Sequence, residues 1–188
     1  MDTVFPWKSR FICDQFSRTE GNCSSRVARK HNSYMAALAI KIRDFQTEDF
    51  EPLYRIDQIC FPNGIAFSRN ELVHYLNHPK RIARIAESAG GILGFVLARI
   101  ESAVYAHVLT LDVVPEGRKR NIGTTLMKAL HDELRNQGIR AAVLEVGVLN
   151  IAAQCLYRKL RYQYLSTIPG YYHGKEDAYR MARLVMQG

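Results

Sequence analysis

A chain of 188 residues falls within the size of one ordinary domain and can bury a core without disulfides or a structural metal. With 47% apolar and 23% charged residues it has the balance of a folded globular protein, which excludes wholesale disorder. Its longest unbroken apolar run, Tyr34 to Ile40, is seven residues, far below the roughly 20 of a membrane span. The net charge of +8 suits anionic partners without choosing among nucleic acid, a phosphorylated cofactor and an acidic protein surface.

Met1 to Tyr34 carries six basic and three acidic residues, several Ser and Asn, and no sustained apolar period. It reads as a flexible basic extension over residues 1–37, ahead of one domain over residues 38–188. A secretory signal would need a continuous apolar stretch, and Asp2, Asp14 and Glu20 count against an organellar presequence, so a cytoplasmic protein is expected. Cys13, Cys23, Cys60 and Cys155 show no paired metal-ligand spacing and read as reduced thiols.

From Ile40 the pattern becomes regular. Ile40 to Phe45 alternates like a half-buried strand. Thr47 is placed to cap a helix that runs to about Cys60 and stops at Phe61-Pro62. Ser68 to Glu71 has capping-box spacing and opens a second helix closed by Pro79. Strands over Ile82–Glu87 and Ile92–Ile100 meet at Gly90-Gly91, and a third, Val104 to Val114, ends at Pro115. Ile122, Leu126, Leu130 and Leu134 mark a long helix with Gly138 at its C-terminal end. Ala141 to Val146 is a short buried strand, Ile151 to Leu160 a further helix, and Tyr162–Ile168 and Tyr179–Val185 are final strands. The order β-α-α-β-β-β-α-β-α-β-β predicts an α/β (mixed α+β) sheet with helices packed on it.

The chemistry concentrates between Thr110 and Tyr157. A strand ends at Pro115, and a basic turn, Glu116 to Asn121, leads into a helix start, where outward-pointing N–H groups favour an anion. Gly123 removes a side chain where a phosphate would approach the backbone, and Asn121 tolerates a left-handed conformation. Arg118, Lys119 and Arg120 add positive charge; taken alone, they also read as solvated loop residues. Neither a Walker loop nor a Gly-x-Gly-x-x-Gly fingerprint is present.

Arg118-Lys119-Arg120-Asn121-Ile122-Gly123 resembles the Q/R-x-x-G-x-G/A motif of the GNAT acetyltransferases. Leu144-Glu145-Val146, Asn150 and Leu156-Tyr157, followed by Tyr171-Tyr172, Gly174 to Ala178 and Met181-Ala182, resemble the RimI group of that family, which acetylates protein N-termini. The likeness runs from about Ile40 to Ala182. Three features depart from it: Asn121 replaces the first motif glycine, Arg161 stands in the glycine position of a Leu-Gly-Phe-like ending, and the loop after Phe61-Pro62 is longer.

The resemblance implies a GNAT fold of about seven strands with helices on both faces and acetyl-CoA lying in a cleft between two splayed parallel strands. Leu111, Asp112 and Val113 would offer backbone groups to the pantetheine and thioester. Arg118 and the run Lys119, Arg120, Asn121, Ile122, Gly123 and Thr124 would hold the pyrophosphate, with Asn150 reaching the cofactor from the next helix. Glu145 would accept the amine proton and Tyr157 would assist the departing thiolate. An α-amine, with a pKa of about 7.7–8.0, is neutral about a tenth of the time at pH 7, whereas a lysine amine is so only a few times in ten thousand, an advantage of roughly 3 kcal/mol. A carboxylate is in turn a weak base towards that amine, by roughly 5 kcal/mol, so deprotonation would come late.

The expected reaction is therefore acetyl transfer to the N-terminal amine of a protein, a ribosomal protein beginning with Ala being the acceptor the resemblance implies. A small-amine acetyltransferase of the same fold and a non-catalytic RNA- or ribosome-binding module are the alternatives; no aromatic-studded RNA motif supports direct nucleic-acid binding. No metal is expected: His74 and His78 lie four apart without an evident third ligand. His173, and Arg158 with Lys159 and Arg161, read as surface residues, the basic trio with a lesser role as a grip for the CoA 3′-phosphate.

Overall fold

Caps and turns set where the elements begin and end. The structure, a computed structural model, describes Arg10–Phe11, residues 39–61 and residues 65–185. Its strands are β1 (Arg10–Phe11), β2 (Lys41–Asp44), β3 (Arg81–Ser88), β4 (Gly91–Ile100), β5 (Tyr105–Val113), β6 (Ala141–Gly147), β7 (Gln163–Tyr172) and β8 (Glu176–Leu184). Its α-helices are α1 (Phe50–Cys60), α2 (Arg69–Leu76), α3 (Ile122–Asn136) and α4 (Ile151–Lys159). Apart from Arg10–Phe11, the expected extension over residues 1–37 lies outside the described residues. So do Cys13 and Cys23, while Cys60 and Cys155 are free thiols, the first buried and the second exposed.

The sheet order is β2-β3-β4-β5-β6-β8-β7, a seven-strand path as expected, with β1 joined to β5 as an addition. Neighbours on the path are antiparallel except β5 and β6, which are parallel because α3 crosses over between them. One apolar core joins α3 and α4 to one face, through Leu126, Leu130, Val108, Leu144 and Tyr157. A second joins α1 and α2 to the other, through Leu53, Leu72, Ile85 and Leu109. Among the described residues no helix is long and apolar enough to cross a membrane.

The capping box at α2 forms as predicted: Glu71 N donates to Ser68 Oγ at 3.3 Å and Ser68 N to Glu71 Oε2 at 2.8 Å. The start of α1 differs. A 3-10 turn, Thr47–Asp49, precedes it, and the cap is Gln46, whose N–H donates to Asp49 Oδ2 at 2.8 Å. Arg43 grips the same carboxylate through two bonds of 2.6 and 2.8 Å, which fixes it over the turn and displaces Thr47 from the capping role.

Helices α3 and α4 end in the same way. Ile139 N donates to Leu134 O and Gly138 N to Arg135 O, while Tyr162 N donates to Tyr157 O and Arg161 N to Arg158 O. Both are Schellman motifs, which require a left-handed residue just past the helix. Gly138 supplies it after α3, at φ +72°, and Arg161 after α4, at φ +63°. The departure from glycine at Arg161 therefore sits where a Cβ is disfavoured. Replacing Arg161 by Gly should raise stability by about 1 kcal/mol, or about 2–4 °C in Tm, measured by thermal denaturation.

Inside the first core His131 pairs with the Tyr162 hydroxyl at 2.9 Å. Burial, aided by Arg183 and Arg135, pulls its imidazole down to about 3, so the folded protein keeps it neutral. The unfolded chain takes up the proton near pH 6.5, so the stability this residue confers is complete above that pH. It is lost as pH falls toward 3, by about 1.4 kcal/mol per pH unit. Urea unfolding between pH 7 and 4 should show a shallower acid loss in His131→Gln than in the wild type, by nearly one proton.

Candidate active site

The site begins where two strands part. β5 and β6 pair in parallel only at Tyr105↔Ala141, Ala106↔Ala142 and His107↔Val143. Beyond these rungs the strands diverge, leaving a wedge whose sides are main chain. On its other edge β5 pairs with β4, but Ala98 faces Val108 and Leu97 faces Thr110, so Leu109 is an extra, bulged residue. The bulge reverses the pleat: Leu109 joins the α1/α2 core, whereas Leu111 and Val113 point to the α3/α4 side. Odd-numbered side chains, on the α1/α2 side up to Leu109, thus lie on the α3/α4 side from Leu111 onward.

On the α3/α4 side the wedge opens into a cleft of about 260 Å³. Eight of the residues expected at the cofactor line it: Leu111, Val113, Arg118, Lys119, Asn121, Ile122, Gly123 and Thr124, together with Tyr157 and Lys159. The turn above it is left-handed at Lys119 and at Asn121, both with φ +60°. Asn121 thereby explains its place as a glycine substitute, since Asn adopts this conformation more readily than other residues with a Cβ. The first N–H groups of α3, at Ile122 to Thr124, have no intrahelical acceptor and face outward. A Cβ on Gly123 would lie 3.4 Å from Leu156 and 3.6 Å from Leu111, so the glycine keeps the opening between β5 and α4 clear. No acidic side chain lines this cleft among the described residues. A helix N-terminus, lysines and an apolar wall fit a long polyanion such as acetyl-CoA.

Three expected cofactor contacts sit elsewhere. Asp112 is buried, its Oδ1 accepting from Thr110 Oγ1 at 3.0 Å, so only its backbone can serve an extended ligand. Arg120 stands half-buried in the turn without lining the cleft. The Asn150 carboxamide caps α4, accepting from Ala153 N at 3.1 Å. Arg118 turns back to the Val113 carbonyl, 3.4 Å from Nε, and Lys159, assigned to the surface from sequence, lines the cleft. Cys60 is no nucleophile: burial, with Asp112 nearby, pushes its thiol up to about 12.

Tyr157 is fully buried in the cleft wall, its ring 5.5 Å from that of Tyr162 and held by the Schellman turn that ends α4. Burial pushes its hydroxyl well above the ordinary phenol range, the opposite of the acidification that release of its proton would need.

Glu145 lies between Leu144 and Val146, which enter the α3/α4 core, so strand alternation turns it to the opposite face. It is 1% exposed. Its Oε2 lies 2.6 Å from His107 Nε2, Arg180 Nε donates to Oε1 at 2.9 Å, and the Tyr171 hydroxyl reaches Oε2 at 3.4 Å. The guanidinium compensates the charge that burial would otherwise penalise. Glu145, His107 and Arg180, with Tyr105, Leu165 and Glu101, line a second cavity of about 300 Å³. Glu145 and Tyr157 thus stand on opposite faces of the sheet with the wedge between them.

Sequence reading missed His107 and Arg180. His107 is signalled by alternation with Leu109, and Arg180 by its place between Tyr179 and Met181 on a strand, but only the register Glu145↔Arg180 makes them neighbours. His74 and His78 face each other edge-on at 6.4 Å, and no group of metal-binding side chains stands among the described residues.

Known proteins are similar to this chain in sequence and in fold. The Acetyltransferase (GNAT) family matches residues 20–162. An N-alpha-acetyltransferase of Saccharolobus solfataricus is 28% identical over 157 residues, covering 76% of this chain and 91% of the relative. Ard1 from Thermoplasma volcanium has a TM-score of 0.73 at 26% identity, over 79% of this chain and 99% of that one. The ribosomal-protein-S18-alanine N-acetyltransferase from Escherichia coli also has a TM-score of 0.73, at 24% identity, over 80% of this chain and 96% of that one.

Proposed function

Since the chain belongs to the GNAT acetyltransferase family and is an acetyl-CoA-dependent N-acetyltransferase, we propose that its acceptor is the N-terminal α-amine of a protein, with a ribosomal protein beginning with Ala as the candidate substrate. The observation that carries this reading is the buried His107–Glu145 pair, 2.6 Å apart, which opens to one face of the wedge while the basic cleft opens to the other. N-alpha-acetyltransferase relatives support the same acceptor class.

The roles follow from placement. Lys119 to Thr124 and the start of α3 hold the diphosphate, and the backbone of Leu111 to Val113 aligns the extended arm. Acetyl-CoA supplies an acetyl group on a thioester. Glu145, ion-paired with Arg180, takes up the proton that the amine loses as its new bond to the acetyl carbon forms. His107 Nε2, 2.6 Å from Glu145 Oε2, gives that proton a second nitrogen partner beside the carboxylate. Tyr157 retains its proton and steadies the departing sulfur by a hydrogen bond. The apolar walls, Leu111 and Leu156, exclude water from the thioester.

Glu145→Gln and Tyr157→Phe should each keep CoA affinity, measured by calorimetry, and lose at least about tenfold in turnover; unchanged rates in both would reassign the roles. Incubation with labelled acetyl-CoA and peptides varied at their first two residues should give N-terminally acetylated products by mass spectrometry, with Ala-initiated sequences preferred. Acetylation of free small amines alone would overturn the acceptor assignment.

A further inference from the structure

The wedge leaves the edge of β5 without its neighbour β6 from Val108 onward. Buried main-chain groups demand partners, and an open strand edge recruits one. Here the edge is taken by the chain itself: Arg10 pairs with Thr110 and Phe11 with Leu111, in parallel, and the pair lies beside both β5 and β6.

We propose that this edge is a strand-binding site whose resident is the chain's own segment through Arg10 and Phe11, and that the resident and acetyl-CoA exclude one another. The exclusion rests on the functional reading above, in which Leu111 to Val113 align the pantetheine arm. The backbone edge around Leu111 can complete a ladder with Phe11 or with a second extended ligand, not with both. The overlap falls at Leu111, inside the cleft wall, so the segment must withdraw before the arm lies down. The resident thus keeps a polar edge paired in the empty protein and lowers apparent donor affinity by the fraction of molecules in which it is docked.

The test compares the full-length protein with its Arg10→Pro/Phe11→Pro variant, which removes both main-chain donors of the strand. Hydrogen exchange of the Thr110 to Asp112 amides is followed without ligand and with acetyl-CoA, alongside calorimetric affinity and the melting temperature. The expected result is exchange at least about tenfold faster in the variant without ligand, protection restored by acetyl-CoA, an affinity gain of at least about threefold, and an unchanged melting temperature. Equal exchange and equal affinity in the two proteins would overturn the proposal, as would protection that appears only at high protein concentration, which would assign the strand to a second copy. If neither protein binds acetyl-CoA, the functional reading and the exclusion fail together. Exchange without ligand still decides whether the segment occupies the edge.

Discussion

The molecule depends on the point at which two parallel strands stop pairing. Three rungs join β5 to β6, and after His107 and Val143 the ladder ends. Each rung forgone leaves polar main chain inside an otherwise apolar body, which a folded protein tolerates only where something else completes the bonding. The start of α3 and the wall of α4 stand around that opening. The cleft is therefore less a hollow in a surface than a gap between strands with an edge left by β6, suited to a ligand that is itself extended and amide-bearing.

Charge is divided across this gap. The α3/α4 side has lysines, a helix N-terminus and, among the described residues, no lining carboxylate. The other side holds a carboxylate at 1% exposure, compensated by Arg180 and joined to His107. Such a buried ion is tolerable only with its partners in place. Burial on the α3/α4 side strengthens the hold of Tyr157 on its proton, leaving it a hydrogen-bond donor across the wedge from the paired carboxylate.

Local signals in the sequence carried most of the elements. Ser68 with Glu71, Gly138, Pro115 and the four-residue period of α3 each act within one turn of the chain, and each stands where it was expected. The cleft was legible for the same reason, because Arg118 to Thr124 is contiguous and its conformation is set by Asn121 and the helix that follows. What was not legible arises between elements. Thr47 lost the cap to Gln46 because Arg43, on a neighbouring strand, holds Asp49. The bulge at Leu109 is a relation between β4 and β5 that neither strand shows alone. His107 and Arg180 meet Glu145 through register, which no single segment encodes.

That one additional residue in β5 separates two kinds of evolutionary change. Of the odd-numbered side chains, Tyr105 and His107 upstream address the face where an incoming amine would be recognised, and Leu111 and Val113 downstream address the face that accommodates the nucleotide-bearing partner. Drift at Tyr105 can retune one preference while Leu111 and Val113 preserve the other, although they share a single strand. A scaffold divided in this way can change its clientele without relearning its currency.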